Sequence, residues 1–477
     1  MREDEHDVET RFNSSDVVTF RYVHIAIDYN DAQSITVLFE YSLDGVGGRQ
    51  IVACTESYQF PAPANGLSPA RREAFERLAE HLGLAAGLSY YKLAAPPNVE
   101  IADTYSVDGF TVDEIGFHRR LLARGLGEFS FVNGLDAELS PRYGFRCVAP
   151  KSPVTGLDPD AGPLLPVGGG KDSCVSIEAL RDAAGSDPTF SPTLITVNRY
   201  PVIADVIRDS NLPDLAVQRK LDEKLGVLNA QGALNGHVPA TAIVSLAVLC
   251  AAALHGHAEV VMSNERSASE GNVTYRGVEI NHQWSKSEES ERAISELVAS
   301  VAPELTYFSL LRPLSELSIA RRFAATCQRY FASFSSCNAA FRLDPARRTS
   351  RWCGQCPKCQ FVYLALATTL ERDVLEGIWG SELFASSPEE GFCALLGLRE
   401  WKPFECVGEI GECRVALRMV ADNPAWAGHP VLERLKAQLM SAGGWPSDAD
   451  SEAVFSPQGS LVPDAFAGVI ASLVGTP

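Results

Sequence analysis

Six consecutive residues, Gly168, Gly169, Gly170, Lys171, Asp172 and Ser173, follow the apolar run "LLPV" and open the amphipathic run "KDSCVSIEALRDAA". Glycines at a strand-to-helix turn let backbone N–H groups converge on an anion at the positive end of the helix, because no Cβ obstructs the approach. Lys171 and Ser173 add a cation and a hydroxyl, so phosphate is the anion this cradle fits; a plain flexible turn would use the same glycines. Two common phosphate loops have other spacings. A Walker A loop has glycine where Leu165 stands and Ser or Thr where Asp172 stands, and a dinucleotide fingerprint has glycine or alanine in place of Ser173.

Two further strings are dense in donors and acceptors. "SNERSASEGN", after the apolar "AEVVM", carries Asn264, Glu265, Arg266, Ser267, Glu270 and Asn272, and "EINHQWSKSEES" carries His282, Gln283, Ser285, Lys286 and Ser287. Arg266 offers a planar fork for carboxylate or phosphate, and Lys286 a point charge. The groups able to accept or donate a proton are Glu265, His282, Lys286 and Cys406, the last in "KPFECVGEIGE" near Lys402. A buried, inert thiol is the other reading of Cys406.

"RWCGQCPKCQ" spaces Cys353, Cys356 and Cys359 as CxxCxxC, and Cys337 lies upstream in "FSSCNAAF". Four thiolates at such spacing suit a tetrahedral Zn²⁺ with no open position, hence a structural ion. The bacterial iron–sulfur run would need its fourth cysteine where Tyr363 stands. Reduced cysteines in a turn are the alternative.

These residues need elements to position them. Residues 1–16 read as a polar tail, and 17–150 as an α+β domain in which "VVTFRYVHIAIDY" and "SITVLFEYSLDGVGGRQIVAC" form antiparallel hairpins and two helical periods follow. "CVAPKSPVTGLDPDAGP" reads as a linker. From 160 to 375, "LLPV", "TLITVN" and "AEVVMSN" alternate with helical runs as βαβ units do, predicting a parallel sheet with ligands at its carboxyl edge. The cysteines close that domain, and 376–477 read as mostly helical. The fold class expected is α/β.

Composition limits the partners. At 477 residues the chain exceeds one ordinary core. With 60 acidic against 41 basic residues its net charge of -19 repels a polyphosphate backbone, which argues against nucleic acid. The longest apolar run, "ATAIVSLAVLCAAALHG", falls short of a membrane span, so no membrane association is expected. Twelve cysteines and an acidic opening without a signal-peptide pattern predict a cytoplasmic protein.

"GGGKDS" resembles the loop of the PP-loop ATP pyrophosphatases, usually Ser-Gly-Gly-x-Asp-Ser, with Gly168 replacing the first serine. "FSLLRPLSEL" resembles that superfamily's Arg-Pro-Leu element, although its usual following lysine is Ile319 here. Together with "GLGEF", "SNERSASEGN", "NHQWSKS", "CGQCPKC" and "KPFECVG", the loop resembles the glycopeptidyl-glutamate epimerases, which act on UDP-N-acetylmuramoyl-L-alanyl-L-glutamate. The resemblance covers most of the chain. It implies ATP and Mg²⁺ as cofactors, adenylation of the glutamate α-carboxylate, inversion at the α-carbon and release of AMP and pyrophosphate. It implies further that the glycine loop, Lys171, Asp172, Ser173, Asn264 and Arg266 bind ATP, with Glu265, His282, Lys286 and Cys406 as candidates for proton transfer. The cysteine pattern also resembles the zinc site of the 7-cyano-7-deazaguanine synthases, so a related PP-loop synthetase is the alternative. A nucleotide-binding regulator without turnover is a third reading.

Overall fold

The computed structural model describes residues 11–342, 345–459 and 461–475, and the chain divides into two compact units. Of the tail expected over 1–16, residues 1–10 lie outside the described ones. Ser14–Asp16 form a 3-10 turn capped by the Asn13 side chain.

The first unit takes residues 11–59, 79–151 and 219–238. Strand β1 (Thr19–Asp28) pairs antiparallel with β2 (Ser34–Asp44), as the alternating text predicts, with an irregularity between Tyr22 and His24. With β3 (Gln50–Pro61), β4 (Asn98–Ile101) and β5 (Arg142–Gly144) they form a sheet in the order β3-β2-β1-β4-β5. Phe20, Tyr22, Phe39 and Tyr41 are buried in it. The Tyr22 and Tyr41 hydroxyls donate to the carbonyls of Leu84 (2.8 Å) and Gly83 (2.9 Å), so the rings are buried without stranding a polar group. Gly83 is required here, since a Cβ would lie 2.2 Å from the Tyr105 hydroxyl. The helix Val112–Gly125 starts on a Thr111–Glu114 capping box.

The second unit takes residues 60–78, 152–218 and 239–475. Its sheet strands are β6 (Leu164–Pro166), β7 (Thr193–Val197), β8 (Asp214–Lys220), β9 (Glu259–Met262) and, beyond the small hairpin of β10 (Val273–Tyr275) and β11 (Val278–Ile280), β12 (Thr306–Ser309). All five sheet strands run parallel in the order β12-β9-β6-β7-β8. Strands β8 and β12 extend the sheet beyond the three legible in sequence: "DLAVQRK" turns polar along its length, and "TYFS" is only four residues. The helix Ala240–His255 is buried on nearly all sides and stops at Gly256, whose φ of 75° is the left-handed cap glycine tolerates. Among the described residues no helix is long and apolar enough to cross a membrane.

Successive strands step from β6 to β7 and β8 on one side, then from β9 to β12 on the other. The reversal falls between β6 and β9. There the connections diverge and leave a crevice at the carboxyl edge, where ligands of such sheets bind. From Pro357 onward the described residues form helices and loops with no strand, and they share one core with the helices Lys171–Ala184 and Glu316–Thr326.

Candidate active site

Strand β6 ends at Pro166 and the helix Lys171–Ala184 begins after four intervening residues, with Gly170 at its N-cap and no side chain capping it. The first-turn N–H groups therefore face outward as anion donors. Gly169 has φ 79°, a conformation few side chains tolerate, and a Cβ on Gly170 would come 2.5 Å from the Ser336 hydroxyl. The Ser335 N–H donates to the Gly169 carbonyl at 2.8 Å. The segment leading into Cys337 thus packs directly against the glycine loop.

Lys171 is buried, and its ammonium pairs with both Asp172 and Glu316. Burial works against that ammonium, but the two carboxylates outweigh it and hold the group charged above the usual lysine range. Burial likewise opposes the Asp172 carboxylate, yet Lys171, Lys358 and Lys286 reverse it and keep this carboxyl below its ordinary value. Glu316 is pushed up to about 7, by burial first and then by Asp172 and Glu265 against the pull of Lys171. Glu412, lifted to about 8 by burial and by Glu409 and Glu316, accepts the Glu316 N–H at 3.1 Å. Lys171 thus pairs with both carboxylates, and Lys358 and Lys286 bring further positive charge toward Asp172 beside the glycine loop. Asp172 and Glu316 are hard oxygen donors of the kind that hold Mg²⁺.

Both polar strings follow β9, and one guanidinium ties them together. Arg312 is fully buried; it forms an ion pair with Glu291 (2.7 Å) and donates to the backbone carbonyls of Glu265 and, at 2.6 Å, Lys286. Glu291 also accepts the Ser309 N–H at 2.9 Å, which pins the pair to the end of β12. Asn264 and Arg266 are engaged within the protein. The Asn264 amide donates to Ser309 Oγ, while Arg266 donates to the carbonyls of Val454 and Ser456 and lies 3.6 Å from Glu412. Beyond Arg266 opens a cavity of about 420 Å³ whose walls include Glu409, Arg414, Trp445 and Gln458.

Cys406 lies in an irregular stretch between the helices Glu389–Leu395 and Ile410–Asp422, held from three sides. Asn272 donates to the Pro403 carbonyl (2.7 Å) and accepts the His282 N–H (2.8 Å). Lys402 pairs with Glu270 at 2.6 Å, and Gln283 donates to the Val407 carbonyl at 3.2 Å. Glu405 accepts the N–H of Lys358 at 2.8 Å. Thus "SNERSASEGN", "NHQWSKS" and "KPFECVG" are joined in one hydrogen-bonded cluster. Lys286 Nζ donates to Cys406 Sγ at 3.4 Å, and His282 hydrogen-bonds the same sulfur. Burial opposes the Cys406 thiolate, but Lys286, the His282 hydrogen bond and Lys358 bring its pKa down to about 6. Lys286 is held protonated above its usual range chiefly by Cys406, with Glu265 and Asp172 contributing.

The sulfurs of Cys337, Cys353, Cys356 and Cys359 lie within 4.8 Å of one another. The Cys353–Cys359 and Cys356–Cys359 separations are 3.7 and 3.5 Å. A tetrahedron of Zn–S bonds of about 2.3 Å has edges of about 3.8 Å, so the four thiols fit zinc. Backbone N–H groups of Cys353 and Gln355 point at the sulfurs of Cys337 (3.4 Å) and Cys353 (3.5 Å), which favours thiolates.

His282, Lys286 and Cys406 meet in one cluster, and the charges of Glu265 and of Asp172 in the glycine loop act on its Lys286. Sequence reasoning passed over Arg312, Glu316, Ser336 and Lys358. The first two stand in "FSLLRPLSEL", noticed only as a superfamily element, and Lys358 was hidden between two cysteines read as metal ligands. Ser336 carried no signal, since its role depends on a contact with Gly170 that only the fold creates.

Comparison with known proteins places the chain in a family. The family description "MurL N-terminal domain" matches residues 11–310 and "MurL C-terminal domain" matches 333–450. Three relatives are named UDP-N-acetyl-alpha-D-muramoyl-L-alanyl-L-glutamate epimerase. The Xanthomonas oryzae pv. oryzae protein is 41% identical over 89% of this chain and 90% of its own. The Salinispora tropica protein is 41% identical over 93% and 94%, and that of Micromonospora sp. 42% over 91% and 94%. No solved structure matches. With both domain descriptions matched and that identity sustained along most of its length, the chain belongs to the MurL family.

Proposed function

We propose that this protein is an ATP-dependent epimerase that converts the terminal L-glutamate of UDP-N-acetylmuramoyl-L-alanyl-L-glutamate to D-glutamate, for peptidoglycan precursor synthesis. The observation that carries the reading is the adjacency of a phosphate-type glycine loop to the Lys286–Cys406–His282 cluster, within a chain of the MurL family. A carboxylate disfavours loss of its own α-proton, because a second negative charge would build beside the first. Adenylating it removes that charge and makes the enolate accessible to preorganised donors.

In this reading the glycine-loop amides and Ser173 hold the triphosphate, and Lys171 sets the charge of Asp172 and Glu316. Mg²⁺, held by that carboxylate pair, would supply charge neutralisation as pyrophosphate leaves. Asn264 and Arg266 fix the loop after β9 that faces the nucleotide. The cavity beyond Arg266, with Arg414 and Trp445, offers a cation and a flat ring to part of the sugar nucleotide.

The test is incubation with ATP, Mg²⁺ and the UDP-sugar dipeptide in D₂O, followed by assay of AMP, α-deuterium and glutamate chirality. AMP with deuterated D-glutamate is the expected result. AMP formed only with another acceptor would leave the loop reading and remove the substrate; no AMP with any acceptor would remove both. The four-cysteine cluster also fits a PP-loop synthetase of the deazaguanine type, which would form AMP with an ammonia donor and leave glutamate unchanged.

A second expectation concerns the glycine loop. Gly170→Ala forces its Cβ against Ser336 Oγ. Substrate-dependent ATP–pyrophosphate exchange is expected to fall at least tenfold, about 1.4 kcal/mol of lost transition-state stabilisation. Exchange at the wild-type rate would show that the loop does not hold the phosphates.

A further inference from the structure

The glycine loop holds more open donors than a helix start alone leaves. Among the described residues, none of the backbone N–H groups of residues 168–173 donates to a protein acceptor; the next one, of Cys174, donates to the Gly170 carbonyl at 3.3 Å. The segment before Cys337 packs against these donors. Ser335 is fully engaged: its N–H donates to the Gly169 carbonyl at 2.8 Å, and its hydroxyl donates to the Arg351 carbonyl at 3.0 Å and accepts the Cys337 N–H at 3.1 Å. Ser336 is different. It is half-buried, and among the described residues neither its N–H nor its hydroxyl bonds a protein group. Its Oγ lies 2.5 Å from the position that a Cβ on Gly170 would take. A capping side chain would start from that Cβ and fold over the open N–H groups, so the Ser336 hydroxyl borders the open first turn of the helix.

Resting on the reading of this loop as an ATP cradle, we propose that Ser336 is a pyrophosphate-binding residue, whose hydroxyl supplies from the segment before Cys337 the donor that the loop lacks at Gly168. The loop that "GGGKDS" resembles carries serine at that place. Adenylation joins a carboxylate oxygen to the α-phosphorus and breaks the bond from that phosphorus to the bridging oxygen, whose electron pair leaves with pyrophosphate. Donors at the leaving end bind more strongly as that charge develops. The Ser336 hydroxyl therefore acts on the rate of adenylation as well as on affinity, and the cysteine cluster, which begins at the next residue, fixes where it stands.

The loop itself provides the control. Gly168 lies outside the left-handed region, and a Cβ there would meet nothing within 4 Å. Gly168→Ser is thus accommodated without displacing a neighbour, and it restores the loop's own hydroxyl. Two hydroxyls that serve the same phosphate group have non-additive effects. Gly168→Ser cannot restore packing at position 336, so recovery in a Ser336→Ala background reports the hydroxyl and not the fold.

The test uses the full-length protein as wild type, Ser336→Ala, Gly168→Ser and the double variant. Each is titrated calorimetrically with ATP, inorganic pyrophosphate, AMP and UDP in the presence of Mg²⁺, and its melting temperature is measured. Ser336→Ala is expected to weaken ATP and pyrophosphate by about tenfold, as for the loss of one hydrogen bond to a charged acceptor, and to leave AMP, UDP and the melting temperature unchanged. Gly168→Ser should recover most of that affinity in the Ser336→Ala background and add little to the wild type. Unchanged pyrophosphate affinity in Ser336→Ala overturns the proposal. A matching loss for AMP, or a loss for UDP in place of ATP, overturns the assignment to the leaving end of ATP and, in the second case, moves the hydroxyl to the diphosphate of the sugar nucleotide. Gains from Gly168→Ser that are equal in both backgrounds, or absent in Ser336→Ala, overturn the exchange of one hydroxyl for the other. A wild-type protein that binds neither ATP nor pyrophosphate overturns the cradle reading itself, and the part of Ser336 with it.

Discussion

Arg312→Met is expected to lower stability by about 3–5 kcal/mol, because it leaves Glu291 as a buried charge without its partner. Two further costs accompany the first. The backbone carbonyls of Glu265 and Lys286 lose a charged donor, and each unsatisfied buried group costs about 1–3 kcal/mol where water cannot replace it. Those carbonyls belong to the two strings that carry Glu265 and Lys286. A displacement of about 1 Å there would lower turnover by about 10²-fold even in the fraction that stays folded. Urea unfolding measures the first effect, and kcat on the folded fraction the second. The discriminating variant is Arg312→Met with Glu291→Gln. If the ion pair is the cause, neutralising Glu291 recovers part of the lost stability while turnover stays low. If the double variant is less stable than the single one, the buried charge was not the reason.

Replacing one thiol of the cysteine cluster is expected to have a still larger effect. Zinc held by thiolates in small structural sites stabilises the fold by an apparent ~10–16 kcal/mol near pH 7, and this cluster closes the loop that covers the phosphate cradle. Cys359→Ser should reduce bound zinc from about one ion per chain to none and lower the midpoint of thermal unfolding. ATP–pyrophosphate exchange should fall with it, because Ser335 and Ser336 precede Cys337 directly and Lys358 precedes Cys359. Elemental analysis and a melting curve on the purified protein suffice. A wild-type protein without metal, melting at the same temperature as Cys359→Ser, would make the cysteines ordinary buried thiols.

Much of the sheet unit was legible because its signals are local. An apolar strand, three glycines and an amphipathic helix are neighbours in sequence, and the loop they form is set by the missing Cβ atoms. The buried helix Ala240–His255 was legible for the same reason. The short strand β12 was not, since four residues carry little periodicity and its burial comes from β9 and the helix Glu288–Val301. In the site, the polar strings stood out by composition, whereas Arg312 and Glu316 did not. Their roles lie in partners 21 and 145 residues away, distances over which no spacing rule operates. Lys358 was missed for another reason: a cysteine motif explains its neighbours well enough that the lysine between them goes unexamined.

The order in which the parts of the site are made has a consequence for biosynthesis. The glycine loop is complete by Ser173, the two strings come about a hundred residues later, and the Cys406 loop and Glu412 arrive last, so contacts of very long sequence separation must close before the site is fixed. Such contacts form slowly, and domains emerge from the ribosome at about 5–20 residues per second. A nascent chain halted before Glu412 therefore carries the glycine loop without its later partners, and its Glu316 N–H lacks the acceptor that the finished protein provides. The site is therefore complete only near the end of translation, and an incomplete chain holds the glycine loop without the groups that surround it in the finished protein.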